Sequence, residues 1–195
     1  MGSNKLIDFI KQPLILFLLK ALLIWFGWML FYGIIFKESQ INDPMTKIEA
    51  RMTAFVLRQM GYDAKLDEKF SHTLVREEGK QNELYISIDN KPLIGIASAC
   101  NGVELFALFL GFLFAFGGRK KIFSFLIFGL SSIYLINLIR IIVIAWVTMF
   151  DKQQADFHHH YTFMFIVYGY ILWLWHRWTI IQNANQKKDI SLDEQ

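Results

Sequence analysis

Four blocks of nearly unbroken hydrophobic sequence, at 13–36, 96–116, 122–150 and 161–181, alternate with polar stretches along the chain. Each is long enough to supply the ~20 apolar residues that a helix needs to cross a bilayer. The pattern predicts an all-α integral membrane protein, a four-helix transmembrane bundle with spans at about 13–36, 96–116, 122–145 and 161–181. Residues 37–95 form an insertion between the first two spans, and 183–195 read as a solvated, disordered tail.

The insertion has two periods. Asp43 and Pro44 read as a helix cap followed by a proline at the first helical position, and Ile48, Met52, Phe55, Val56 and Met60 recur at helical spacing up to Gly61. A single apolar stripe next to membrane spans predicts a helix that lies along the interface or packs on the bundle. From Ser71 to Asp89, Leu74 and Val75 precede a polar turn containing Gly79, after which Leu84, Ile86 and Ile88 alternate with Tyr85, Ser87 and Asp89. That alternation predicts a β-hairpin, which would rest on the helices or on a partner because an isolated hairpin is marginal in water.

Composition agrees with the membrane class: 54% of residues are hydrophobic, above the roughly 45–50% of soluble domains. The first block is longer than a signal-peptide core and no small-residue cleavage site follows Phe36, so it is expected to remain as an anchor. The start resembles a myristoylation signal only superficially, because Leu6 stands where Ser or Thr is needed. Net charge is only +3, which gives no footing for a nucleic-acid partner and makes the placement of charge matter more than its sum.

Lys5 and Lys11 precede the first span, Arg119, Lys120 and Lys121 separate the second from the third, and Arg177, Lys187 and Lys188 close or follow the fourth. Cytoplasmic flanks collect such residues, so both termini are expected in the cytoplasm and residues 37–95 and 151–158 outside. Trp173, Trp175 and Trp178 read as an interfacial aromatic belt.

With this topology, three chemically useful residue types meet in one leaflet. The third block would be roughly 43 Å long at 1.5 Å per residue, which sets Arg140 just beneath the outer surface. Cys100, Asn101 and Glu104 fall in the first two turns of the second block, and His158, His159 and His160 enter the fourth span from outside. Each has an ordinary reading as well: a small hydrophobe for Cys100, a snorkelling anchor for Arg140, interfacial decoration for the histidines. With a single cysteine, no intrachain disulfide is possible.

Taken together they point to acyl transfer. A thiol attacks as its thiolate, which a nearby cation and a helix N-terminus both favour. A histidine can take the thiol proton and return it to a leaving amine, while Arg140 stabilises charge on a tetrahedral intermediate. Three successive histidines diverge by about 100 degrees each on a helix and cannot converge on one metal ion. A zinc site would need distant ligands, with Cys100 and Glu104, one turn apart, as possible contributors.

Ala99-Cys100-Asn101-Gly102, Asn137-Leu138-Ile139-Arg140-Ile141 and the histidine run resemble, in order and spacing, the exosortase/archaeosortase family of membrane cysteine transpeptidases. The resemblance covers about residues 98–170. It departs from the family at Asn101, where Ser is common, and in having fewer spans than long members.

The resemblance implies that Cys100 forms an acyl-thioester with a sorted protein, that Arg140 donates a proton or orients the substrate, and that one of His158, His159 and His160 assists the transition state. Asn137, one turn before Arg140, is expected to brace the guanidinium, and Asn101 to support the site. Neither cofactor nor metal is implied. The implied substrates are secreted proteins with C-terminal sorting signals, and the implied acceptor is a membrane lipid or polysaccharide. Two rivals remain: hydrolysis without anchoring, and a non-enzymatic membrane subunit of a secretion or envelope-assembly complex that binds a partner through the insertion.

Overall fold

The computed structural model describes residues 13–31, 43–67, 83–97, 100–118 and 120–193. These fold as α1 (Pro13–Phe31), α2 (Asp43–Gln59), β1 (Ala64–Asp67), β2 (Glu83–Ile88), β3 (Lys91–Ala97), α3 (Val103–Phe116), α4 (Ile122–Phe150), α5 (Lys152–Phe157), a π-helical turn (His158–Thr162) and α6 (Phe163–Asp193). The protein is therefore mostly helical, with one small sheet. Among the described residues, α4 alone is both long and apolar enough to cross a membrane by itself, while α1 and α3 are shorter apolar helices.

Two compact units share these elements. The first contains α1, residues 105–130 and the chain from Ile171 onward. Aromatic packing holds it together. Phe125 lies between Phe109, at 6.0 Å between ring centroids, and Trp178, at 4.9 Å, while Phe112 stacks on Trp175 at 4.4 Å. Trp178 is not part of an interfacial belt: it is fully buried and its Nε1 donates to the Gly117 carbonyl at 3.2 Å. Its ring fills core volume and its one donor is satisfied, as a buried indole requires.

The expected disordered tail is instead helix through Asp193. Asp189 of that segment pairs with the Lys120 ammonium on the turn before α4, and Gln182, just ahead of it, donates Nε2 to the Lys120 carbonyl.

The second unit contains α2, the sheet, residues 100–104, and 131–170. Its sheet has the order β1-β2-β3, antiparallel throughout, with Leu84 opposite Ile96 and Ile86 opposite Ile94. Asp89 and Asn90 join β2 to β3 with φ of 51° and 61°. Two left-handed residues make the turn whose twist matches a hairpin, and Asp and Asn tolerate that conformation.

The expected strand at 84–88 is thus present, but its described neighbours are β1 and β3; the other arm expected for the hairpin, around Leu74 and Val75, lies outside the described residues. The second span was expected to begin at 96, yet β3 runs to Ala97 and helix begins only at Val103. Ile96 and Ala97, the apolar end of β3, run into the hydrophobic block at its N-terminal side, which is why the block overstates the helix.

The apolar stripe of α2 is not its buried face. Ile48, Met52, Phe55 and Met60 are all about half exposed, whereas Thr46, Glu49, Ala50, Thr53, Ala54 and Leu57 are buried. Ala50, Ala54 and Leu57 pack with Ala64, Leu84, Ile86 and Ile96 of the sheet and with Ile141 and Ala145 of α4. Ala50 and Ala54, one turn apart, allow the close approach, and Glu49 beside them meets Asn137 of α4.

In the first unit, Gly129 of α4 is required by its neighbour: a Cβ there would lie 2.2 Å from the buried ring of Phe109. Gly129→Val is expected to destabilise this unit by about 1–3 kcal/mol, the usual range for overpacking. The check is a lowered thermal unfolding midpoint of the detergent-solubilised protein relative to wild type.

Candidate active site

Cys100 lies between β3 and α3, and the two residues that follow it are both fixed in place. Asn101 is buried; its Oδ1 accepts from the Val103 N–H at 3.2 Å, capping the start of α3, and its Nδ2 lies 3.4 Å from Thr46 Oγ1 of α2. Gly102 has φ of +73°, and a Cβ there would stand 3.3 Å from Asn137 Nδ2. Only glycine meets both conditions, left-handed backbone and close approach. Cys100 is half-buried and precedes the helix, rather than lying within its first turns.

Asn137 ties this turn to two helices. Its amide is buried on α4, and Nδ2 donates one hydrogen to the Cys100 carbonyl at 2.8 Å and the other to Glu49 Oε1 at 3.0 Å. Two acceptors fix the orientation of the amide, since its oxygen would repel both. Asn137 was expected to brace Arg140. Its recorded bonds instead go to Glu49 and the Cys100 backbone.

Glu49 is the residue that sequence reasoning missed. It is fully buried, and its carboxyl is pushed up to about 7 by burial, against the hydrogen bond from Asn137 and the charge of Arg140, which pull it back. Its Oε2 has no hydrogen-bond partner among the described residues, and neither do Asn137 Oδ1 and Arg140 Nε. The available signal was position: Glu49 is the acidic residue on the same helical face as Thr46, Ala50 and Thr53, opposite the apolar stripe.

One turn beyond Asn137, Arg140 reaches the histidine run with a 3.1 Å contact between Nη2 and His159 Nε2. An arginine can only donate, so Nε2 carries the lone pair and the imidazole proton sits on Nδ1. Burial, then the charges of Arg140 and His160, lower the His159 pKa, with Asp156 opposing, which keeps the ring neutral.

The other two histidines turn elsewhere. His158 Nδ1 lies 2.9 Å from Thr162 Oγ1, and exposed His160 lies 3.4 Å from Asp156. The π-helical turn sets this division, because one wider turn changes the angular spacing of the three rings; such turns recur at functional sites.

Cys100, Arg140 and His159 line one cavity of about 670 Å³, whose wall continues along β3 and the start of α5. Asn101, Asn137, His158 and His160 do not line it. Glu104 is exposed and stands outside it, and among the described residues no three His, Cys, Asp or Glu side chains gather into a metal-binding group.

The chain is thus mostly helical, has one helix long and apolar enough to cross a membrane among the described residues, and brings a thiol, a guanidinium and an imidazole to one cavity. A family model described as transmembrane exosortase matches residues 11–175, and the chain belongs to that family and hence to a membrane. No curated protein and no solved structure matches it.

The Glu49 carboxyl has a consequence for stability. Its folded-state pKa of about 7 exceeds the ordinary 4.5, so between these values the folded chain keeps a proton that the unfolded chain releases. Stability should therefore fall as pH rises from 4.5 to 7 and level off above. In melts of the detergent-solubilised protein across that range, Glu49→Gln is expected to remove this slope; parallel curves for the two proteins would contradict the assignment.

Proposed function

We propose that the protein is a membrane cysteine transpeptidase that cleaves a C-terminal sorting signal from secreted proteins and transfers the new C-terminus to an acceptor. The observation that carries this reading is the sharing of one cavity by Cys100, Arg140 and His159 in a chain of the transmembrane exosortase family. In the proposed arrangement the chain crosses the cytoplasmic membrane four times, both termini are cytoplasmic and the cavity opens outward. The outward-facing stripe of Ile48, Met52 and Phe55 on α2 suits a helix resting on the membrane interface.

The chemistry follows from the atoms present. Cys100 Sγ attacks the scissile carbonyl, and its proton passes to His159 Nε2 as Arg140 swings from the imidazole to the developing oxyanion. The intermediate collapses, the carbon–nitrogen bond breaks, and His159 gives the proton to the leaving amine. A thioester to Cys100 remains. A nucleophilic group of a membrane lipid or polysaccharide attacks it and releases the thiol; water in its place would give hydrolysis.

The field at Cys100 suits this role, since the positive end of α3 and the Arg140 guanidinium both favour negative charge on sulfur. His159 is the histidine of the reaction, and Asn137 and Asn101 hold the nucleophile's backbone.

The test follows the C-terminal length of a co-expressed secreted protein that carries a C-terminal spanning helix and basic tail. Cys100→Ala should abolish processing, Arg140→Ala should slow it about 10²–10³-fold and His159→Ala about 10²–10⁴-fold. His158→Ala and His160→Ala should process at close to the wild-type rate. Unchanged processing in Cys100→Ala would overturn the reading in favour of a non-enzymatic subunit of an envelope complex.

A further inference from the structure

The sheet order leaves β3 at an edge, with β2 as its strand partner among the described residues. Edge strands expose a row of unpaired N–H and C=O groups, and soluble folds blunt them with charge or proline. Here these devices stand at one end only. Lys91 and Pro92 occupy the turn end of the strand and the pairing register slips at Leu93, while Ile94-Gly95-Ile96-Ala97 carries no charge, proline or bulge. The unprotected stretch lines the cavity: Ile94, Gly95 and Ile96 share its wall with Cys100, Arg140 and His159.

The geometry points to β3 as the strand on which the polypeptide substrate is laid, its extended backbone adding to the sheet so that the scissile carbonyl arrives at Cys100. This rests on the transpeptidase reading and specifies how its substrate is held. Cys100 lines the same cavity wall as Ile94 and Ile96, so an added strand that continues along that wall meets the thiol.

Gly95 fits the same role. It is exposed in a strand whose neighbours are Ile94 and Ile96, and a glycine inside a strand often marks a close backbone approach. Main-chain hydrogen bonds would supply affinity independent of sequence, and the half-buried Leu93 and Ile94 would favour apolar side chains in the cleaved segment. The class of substrate is therefore an extended, unfolded polypeptide segment with apolar residues next to the cleaved bond, rather than a folded domain.

Two arms test this on a secreted protein whose C-terminal processing by the full-length enzyme in cells is abolished by Cys100→Ala. In the first, each of the six residues preceding the cleaved bond is replaced by proline in turn. An added strand points alternate N–H groups at β3, so processing should fall at least tenfold at every second position and hold near wild type between; a pattern without this period of two overturns the proposal.

In the second arm, Gly95→Val adds a branched side chain that favours the strand itself but occupies the approach path. Processing should fall at least tenfold, while the rate at which a small maleimide alkylates Cys100 stays within twofold of wild type. Normal processing by Gly95→Val overturns the proposal while leaving the transpeptidase reading intact. If processing persists in Cys100→Ala, that reading fails first.

Discussion

The amide of Asn137 is the constraint on which the rest of the site depends. It stands on the helix that carries Arg140, and with its two N–H groups it holds the carbonyl of Cys100 and the carboxyl of Glu49. Three separate stretches of chain, α2, the turn into α3 and α4, are therefore fixed relative to one another at one nitrogen. Each bond adds only about 0.5–1.5 kcal/mol, but removing the donor would strand two buried acceptors, and that desolvation is the larger effect. Gly102 and Asn101 serve the same junction, one by leaving room for the amide and the other by tying the turn to Thr46.

This junction is polar in a place where most of the chain is apolar, and it is only partly satisfied. Glu49 Oε2, Asn137 Oδ1 and Arg140 Nε all lack partners among the described residues. Partly satisfied buried networks are unfavourable for stability, and real proteins tolerate them at functional sites. The same balance explains Glu49. Burial favours its protonated form, while Asn137 and Arg140 favour its charged form, and the compromise lies near neutral pH. Arg140 thus contacts a neutral imidazole, and Glu49 opposes its charge only in the ionised form.

Much of this was legible in the sequence, and what was not has physical causes. Long apolar blocks announce helices directly, and the match of Cys100, Arg140 and a histidine run to a family motif placed the reactive groups together. On α2, periodicity found the helix and left open whether its apolar stripe meets the interface or the bundle; Ile48, Met52 and Phe55 point away from the core, while small and polar residues face it. Glu49 was hidden by that inversion, since a charged residue off the apolar stripe reads as solvated.

The end of β3 was absorbed into the hydrophobic block that follows it, because Ile96 and Ala97 look the same to a hydropathy window whether they belong to strand or helix. The choice of His159 over its neighbours depends on a π-helical turn, and composition carries no trace of one. The three Trp near the end of the chain show a similar limit, since Trp178 is core and Trp173 is not, a difference set by packing partners distant in sequence.

The central claim, that Cys100 is a nucleophile which carries an acyl group, is tested most directly by intact mass measurement of the protein purified after co-expression with a secreted substrate. The account predicts an adduct equal in mass to the truncated substrate, released by hydroxylamine, absent in Cys100→Ser, and accumulating when acceptor is limiting. Processed substrate in the absence of any hydroxylamine-sensitive adduct, under conditions where acceptor is withheld, would contradict it.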